Sequence, residues 1–396
     1  MTVIASQIQG YMERASWIRR MFEAGTEMKQ KYGAENVFDF SLGNPDLAPP
    51  PAVGEALRDL ADRADQPFVF GYMPNAGYPA LRERLAEYLS AEQGVALKAE
   101  HITVTCGAAG GINAFFKAVL EPGDEVLCPA PFFVEYGFYV QNHGGVFKTV
   151  PAREMTFELD LEAFEAAITD RTRVVLVNSP NNPTGQVYSR EEMDALAEIL
   201  RRHSQKNGRP IFLVSDEPYR FLAYDNVEVP SLLALYEYAV VISSFSKNLA
   251  LAGERVGYVA LNPDMPDVGQ LAGALVLTNR ILGFVNAPAV GQHIVARALG
   301  QGVDLSVYEA RREAMARVLT EAGYRFSMPR GGFYFFPAIP EGKDDTTFVN
   351  TNLMNEKILA VPGTGFGYPG YFRLAFCVDQ SVIEGAADGF TRAFQS

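Results

Sequence analysis

The composition is that of an ordinary globular protein with an acidic charge balance. The chain has 396 residues, 48% of them hydrophobic and 20% charged, and a formal net charge of −13 from 34 Lys and Arg against 47 Asp and Glu. This length allows two or three domains, and the hydrophobic share argues against disorder. The negative charge argues against nucleic acid or an anionic membrane as the main partner, so an anionic ligand would need a local pocket.

Cysteine and histidine usage predicts neither disulfides nor a metal site. Cys106, Cys128 and Cys377 are far apart and form no CxxC pair, which favours a reducing compartment, taken here as the cytoplasm. The four histidines share no metal-ligand spacing. No apolar run approaches the ~18 residues of a membrane span, and the N-terminus lacks a signal-peptide pattern.

The predicted elements begin with an amphipathic helix over Pro79–Glu92 and continue as alternating strands and helices. The β-rich runs are Ile102–Thr105, Glu125–Cys128, Val174–Asn178, Ile211–Ser215, Val240–Ser243 and Val256–Leu261, with helices such as Ile112–Leu120 and Glu191–Arg202 between them. After about residue 280, the clearest elements are a helix at Asp304–Ala322 and short strands near Phe333–Phe336, Ile358–Val361 and Phe372–Phe376. This pattern predicts an α/β fold with a largely parallel sheet covered by helices, followed by a smaller α+β unit.

Specialised loops follow five of the predicted strands. They begin at Cys106, Pro129, Asn178, Ser215 and Ser243. In open α/β sheets, ligands bind beyond the carboxyl ends of the strands, so these loops are the places to look for a site.

The loop Ser244–Lys247 and the segment Gly253–Tyr258 carry the most specific motif. A lysine directly after a buried strand is poorly solvated, and desolvation lowers its pKa towards the neutral amine that can attack a carbonyl. The pattern SxSKxxxxxGxRxGY resembles the motif of the cofactor-binding lysine in fold-type I pyridoxal 5'-phosphate (PLP) enzymes, the class I/II aminotransferase family. For S-x-S-K alone a surface loop would be the better interpretation, but the GxRxGY continuation favours the PLP lysine.

The resemblance extends from Ser41 to Phe376, with the motifs in the order of the family. It implies a large PLP-binding domain at residues 46–280, with a mostly parallel sheet of the seven-stranded type. It also implies a small domain formed by both termini, residues 1–45 and 281–396. Lys247 is then the catalytic lysine that also binds PLP.

The loop after Ile211–Ser215 resembles the family's D-x-x-Y element. Asp216 lies at a strand end inside the fold, where an ionised carboxylate requires a cationic partner. The resemblance assigns Asp216 to the pyridine nitrogen of PLP and Tyr219 to its phenolic oxygen. A turn with a packed tyrosine is the alternative for this element taken alone.

The segment Asn178–Gly185 resembles the family's N-P-x-N-P-T-G signature. Taken alone, this run of turn-forming residues would be only a loop. By resemblance, Asn182 contacts both the cofactor oxygen and the substrate carboxylate.

The loop Gly107–Gly111 precedes a helix, whose free N–H groups and dipole could bind a phosphate. Its spacing fails the dinucleotide fingerprint. By resemblance, Gly107, Ala108 and Ala109 contribute backbone amides, and alanine replaces the side-chain donor that many relatives carry. The PLP phosphate would then depend more on Ser244, Ser246 and Arg255.

Two aromatic residues have family counterparts near the cofactor. Tyr72 lies in a segment similar to Y-x-x-x-x-G-x-P-x-L-R, whose tyrosine reaches the phosphate bound by the neighbouring subunit, which implies a homodimer with shared active sites. Phe133 matches the aromatic that stacks on the pyridine ring. Packing before a helix and packing in the core are the respective alternatives.

Arg373 is inserted among apolar residues of a predicted strand. A buried arginine requires an anion, and its planar fork matches a carboxylate. By resemblance, Arg373 binds the substrate α-carboxylate and Gly43 belongs to the loop that closes over the substrate.

The implied activity is transfer of an amino group from an L-amino acid to a 2-oxo acid such as 2-oxoglutarate, with Lys247 as general base and acid. Aspartate, glutamate, aromatic amino acids and alanine stay open as donors, and Arg280 is a candidate for a side-chain carboxylate. A PLP-dependent C–S or β-lyase is the alternative. A non-enzymatic PLP-binding regulator is more distant, since only about 40 residues precede Ser41 and the charge is acidic.

Overall fold

The structure is a computed structural model that describes the backbone of residues 3–396 and the side chains of residues 3–12 and 25–396. Its helices are α1 Ser6–Tyr32, α2 Pro51–Ala61, α3 Pro79–Gln93, α4 Gly107–Val119, α5 Glu135–Asn142, α6 Leu161–Ala167, α7 Arg190–Asn207, α8 Val268–Ile281, α9 Ala289–Ala298, α10 Leu305–Glu321, α11 Asp345–Thr347, α12 Gln380–Gly385 and α13 Ala387–Gln395. Its strands are β1 Phe38–Asp39, β2 Ile102–Thr105, β3 Glu125–Ala130, β4 Val146–Pro151, β5 Thr172–Asn178, β6 Phe212–Asp216, β7 Ala239–Ser244, β8 Gly257–Leu261, β9 Tyr334–Phe335, β10 Ile358–Leu359, β11 Val361–Pro362 and β12 Phe372–Ala375. Within the described residues, no helix is both long enough and apolar enough to cross a bilayer.

Local signals set the ends of the longer helices. The Ser189 hydroxyl accepts a hydrogen bond from the backbone N–H of Glu192, and the Glu192 carboxylate accepts one from the backbone N–H of Ser189 at 2.7 Å. This capping box starts α7, and Gly208, in the left-handed conformation with φ 62°, ends it. Proline at the first position starts α3 in the same way that the sequence predicts.

The large sheet has seven strands in the order β2-β8-β7-β6-β5-β3-β4. The prediction of a largely parallel sheet is confirmed, and β8 is the exception, antiparallel to both β2 and β7. The connection 245–256 between β7 and β8 contains no α-helix, so it cannot make the crossover that a parallel pair needs. The sequence analysis missed β4, an edge strand whose residues are mostly exposed or half-buried and therefore carry no apolar run.

Helices cover both faces of this sheet. Leu213 and Val241 belong to the hydrophobic cluster on one face, whereas Val214 and Val240 belong to the cluster on the other. This division follows from the alternation of side chains along a strand. Because β5, β6 and β7 run in the same direction, their carboxyl ends lie together at one edge of the sheet.

The second unit is built from both ends of the chain. It contains the antiparallel sheet β11-β12-β9 and the parallel pair β1-β10. Its hydrophobic cluster combines Met28 and Phe40 with Phe372 and Phe390. Helix α9 instead contributes Ile294 and Val295 to a cluster of the large sheet, which favours a boundary after α9. The division at residues 45 and 280 stays a prediction.

Candidate active site

A cavity of about 360 Å³ lies where the carboxyl ends of the large sheet meet the second unit. Most of the residues predicted from the sequence line it, namely Gly43, Ala108, Ala109, Phe133, Asn182, Asp216, Tyr219, Ser244, Ser246, Lys247, Arg255 and Arg373. Gly107 is buried directly beside this lining. The size of the cavity is typical of a pocket for a small molecule.

Lys247 follows the end of β7 by three residues and points into the cavity. Its Nζ donates a hydrogen bond to the Gly43 carbonyl oxygen at 2.6 Å and lies 5.4 Å from the ring centroid of Phe333. Burial lowers the pKa of Lys247 to about 8, with the charges of Arg373 and Arg255 acting in the same direction. This amine therefore loses its proton more readily than an exposed lysine, which favours the neutral, nucleophilic form.

Asp216 is the last residue of β6 and is only 6% exposed. The Tyr136 hydroxyl donates a hydrogen bond to Asp216 Oδ2 at 2.6 Å, whereas Oδ1 is buried without a partner. Burial raises the pKa of Asp216 to about 7 in spite of the Tyr136 bond. A cationic N–H group facing Oδ1 would satisfy this oxygen and favour the ionised form.

The N-terminus of α4 forms one end of the cavity. The helix begins at Gly107 itself, so the predicted loop is in fact its first turn. Gly107 has φ 69°, and a side chain there would come within 2.8 Å of Arg255 Nη2. A side chain at Gly257 would lie 2.8 Å from the backbone nitrogen of Ala108. The two glycines thus let the N–H groups of the first helical turn and the Arg255 guanidinium face the same space, which suits an anion.

Arg373, in β12, also lines the cavity and is 9% exposed. It donates hydrogen bonds to Asn182 Oδ1 at 3.1 Å and to the Ser41 carbonyl oxygen at 2.6 Å. Its guanidinium lies 4.8 and 4.9 Å from the ring centroids of Tyr334 and Phe366, and its Nε is buried without a hydrogen-bond partner. The rings fix a planar cation with an unused donor, which suits a carboxylate.

Tyr219 connects the large sheet with the second unit. Its hydroxyl lies 2.9 Å from the Tyr334 hydroxyl, and burial raises the pKa of Tyr219 well above its usual range. Tyr334 also touches the loop of Gly43, because any side chain at that position would collide with the Tyr334 hydroxyl. The Phe133 ring packs edge-on against Tyr136 at 5.4 Å.

The sequence analysis missed one side of the cavity, the residues Glu135, Tyr136 and Tyr139 of helix α5, which we call the α5 wall. Burial raises the pKa of Glu135, although the nearby charge of Arg373 lowers it. Burial also raises the pKa of Tyr139. The available signal was their position two, three and six residues after Phe133, at the start of a short helix.

Two predicted residues lie away from this cavity. Tyr72 is 99% exposed. Arg280, near the end of α8, is also exposed and is not part of the cavity lining. Both assignments therefore stay predictions.

Comparison with known proteins gives a consistent result. A family model described as "Aminotransferase class I and II" matches residues 35–390. A probable aspartate/prephenate aminotransferase from Aquifex aeolicus is 31% identical, covering 88% of this chain and 89% of the relative. An aminotransferase crystal structure from Eubacterium rectale has a TM-score of 0.95 at 35% identity, covering 100% of this chain and 99% of that chain. Aspartate aminotransferase from Thermus thermophilus with maleate has a TM-score of 0.87 at 28% identity, covering 99% and 100%.

Proposed function

The chain belongs to the class I and II aminotransferase family, and from this premise we propose that it binds PLP in the Lys247 cavity and moves an amino group from an L-amino acid to a 2-oxo acid. The observation that carries the proposal is the meeting of three groups in one cavity: the amine of Lys247, the unpartnered carboxylate oxygen of Asp216 and the unused donor of Arg373. The chain is an aminotransferase by family. The cofactor and the roles of the residues are our proposal.

The residues fit PLP at each of its functional groups. The Lys247 amine suits the aldehyde, and Asp216 Oδ1 suits the protonated pyridine nitrogen. The N–H groups of Ala108 and Ala109 with Arg255 suit the phosphate. The remaining contacts would come from Ser244 and Ser246 at the phosphate, Gly107 beside them, Phe133 at the ring face, and Tyr219 and Asn182 at the phenolic oxygen. When bound, PLP takes up the amino group and withdraws electrons from the substrate's α-carbon.

The chain's own residues hold the substrate and move its protons. Arg373 and Asn182 bind the α-carboxylate, which orients the α-carbon towards Lys247. The Lys247 amine has a pKa near 8. As general base it would accept the proton from the substrate α-carbon, and as general acid it would deliver that proton to the C4′ carbon of PLP. Gly43 and the Tyr334 side chain cover the substrate and exclude water.

A test of this function is incubation of the purified protein, supplied with PLP, with 2-oxoglutarate and each amino acid in turn, followed by measurement of glutamate. We expect glutamate with at least one donor, together with borohydride-dependent labelling at Lys247. Ammonia or pyruvate released from a single amino acid without an oxo acid would instead indicate a lyase. A colourless protein that takes up no PLP would contradict the proposal.

We also propose that the active protein is a homodimer in which Tyr72 contacts the cofactor phosphate of the partner. Tyr72 and Phe68 are 99% and 90% exposed, which is unusual for large aromatic side chains. Mixing Lys247→Ala with Tyr72→Ala protein should restore activity to about a quarter of the wild type, because half of the randomly mixed dimers then contain one intact site. Absence of recovery after confirmed exchange of subunits would exclude the shared site.

A further inference from the structure

The acidic residue of the α5 wall gives the cavity a preference among donor amino acids. Resting on the proposed function, we propose that Glu135 favours donors whose side chain ends in an N–H or O–H group and disfavours donors whose side chain ends in a carboxylate. The names of the relatives include aspartate, whereas the preference proposed for this chain disfavours aspartate as a donor.

Glu135 lies on the cavity and lacks strong partners. It is the first residue of α5, and burial raises the pKa of its carboxyl more than its own backbone N–H and the Arg373 charge lower it. Its Oε2 is shielded from solvent and has no hydrogen-bond partner among the described residues. A carboxylate in this situation gains from any N–H or O–H group that a bound molecule brings to it.

The charges of the other lining residues are already assigned. Among the described residues that line the cavity, the cations are Lys247, Arg255 and Arg373, and the anions are Asp216 and Glu135. In the proposed function, Lys247 and Asp216 serve the cofactor, Arg255 serves its phosphate and Arg373 serves the α-carboxylate. Glu135 is therefore the charge left to meet the substrate side chain, and this lining offers no fourth cation for a second carboxylate.

The position of Glu135 places this charge near the substrate. Glu135 lines the same cavity as Arg373. The backbone N–H of Phe132, three residues before Glu135, donates a hydrogen bond to the carbonyl oxygen of Phe366, whose ring lies 4.9 Å from the Arg373 guanidinium. Helix α5 therefore begins near the part of the cavity where Arg373 holds the α-carboxylate in the proposed function. A side-chain carboxylate there meets a like charge in a partly desolvated site, whereas an amide of the same size supplies a donor.

The wild-type protein gives the first test, in single-turnover reactions of the PLP-loaded enzyme without an oxo acid, followed by the absorbance of the cofactor. Asparagine and aspartate are matched in size, as are glutamine and glutamate. We expect kcat/KM for each amide to exceed that of its acid by about tenfold or more, equivalent to about 1.4 kcal/mol. If aspartate and glutamate react as fast as their amides or faster, the proposal is overturned. This result is also expected if Arg280 of a second copy supplies a cation for the side-chain carboxylate.

The variant Glu135→Gln gives the second test, because it removes the charge and keeps the size. We expect the amide-to-acid ratio to fall by about tenfold, through faster reaction of the acids. Glu83→Gln, an exposed change of equal charge on α3, should leave the ratio as in the wild type. If Glu135 acted as a neutral donor to a substrate carboxylate, glutamine would preserve the ratio, and that result also overturns the proposal.

Equilibrium binding gives a readout that does not depend on turnover. Maleate and its monoamide, titrated calorimetrically into the wild type and into Glu135→Gln, should show weaker binding of maleate to the wild type and a gain for maleate in the variant. Tighter binding of maleate than of the monoamide to the wild type contradicts the role of Glu135. If no amino acid changes the cofactor absorbance, the proposed function fails, while the binding comparison still decides the role of Glu135.

Discussion

Two sides of one cavity differ in how they are built. The strand-end wall consists of Asn182, Asp216, Lys247 and the first turn of α4, all held at or just beyond the ends of strands in the large sheet. The α5 wall comes from one short helix, which begins five residues after β3 and contacts the strand-end wall through the hydrogen bond from Tyr136 to Asp216. We infer that the strand-end wall carries the chemistry common to the family, whereas the α5 wall adjusts the cofactor through Tyr136 and the substrate through Glu135.

The largest expected effect on turnover comes from removing the Lys247 amine from the strand-end wall. Lys247→Ala removes the amine that attacks the cofactor and moves the α-proton, so we expect turnover to fall by at least about 10³-fold in the glutamate assay. Lys206→Ala, an exposed lysine on α7, serves as the control. Transamination retained in the Lys247 variant would refute its role.

The second effect concerns the carboxylate end. Arg373→Gln leaves a bound α-carboxylate without its cation, and breaking a buried ion pair costs about 3–5 kcal/mol, or roughly 10²–10⁴-fold in kcat/KM. The cofactor absorbance should persist, because Arg373 faces the substrate. Arg317→Gln on the exposed side of α10 is the matched control. An unchanged kcat/KM would show that the substrate α-carboxylate does not bind to Arg373.

The third effect tests the α5 wall. Tyr136→Phe removes the 2.6 Å hydrogen bond to Asp216, which raises the pKa of that carboxyl further and weakens its pairing with the pyridine nitrogen. A bond to a charged group contributes about 1.5–3 kcal/mol, so we expect PLP affinity to fall by roughly tenfold or more. Equilibrium titration with PLP measures it, with Tyr88→Phe as the control. An affinity equal to the wild type would show that Asp216 does not depend on α5.

The smallest effect is the pH dependence of stability before PLP binds. The pKa of Asp216 is raised from 3.8 to about 7, so the folded state holds this proton more tightly than the unfolded state. That stabilisation is complete below about pH 4 and is lost as the pH rises towards 7. In the PLP-free protein, the Tm should fall over this range, and Asp216→Asn should reduce the fall by a few degrees. Parallel Tm curves for the two proteins would contradict the raised pKa.

The sequence predicted which residues of the strand-end wall would meet because each follows a buried strand, and the resemblance to the family motifs implied their chemistry. Lys247 and Asp216 follow apolar runs directly, and parallel strands carry their ends to one edge. The sequence analysis missed β4, and it predicted β8 as a strand without predicting its direction. The first is an edge strand without an apolar run, and the direction of the second depends on what its connection can span.

The sequence by itself determined the alternation of strands and helices, the family and the residues that suit PLP. These follow from local periodicity and from short motifs within single loops. Only the tertiary structure decided that Glu135 and Tyr136 line the same cavity as Arg373, which is more than two hundred residues away. The physical reason is that burial and charge pairing depend on all the elements packed around a group, and no spacing along one helix records them.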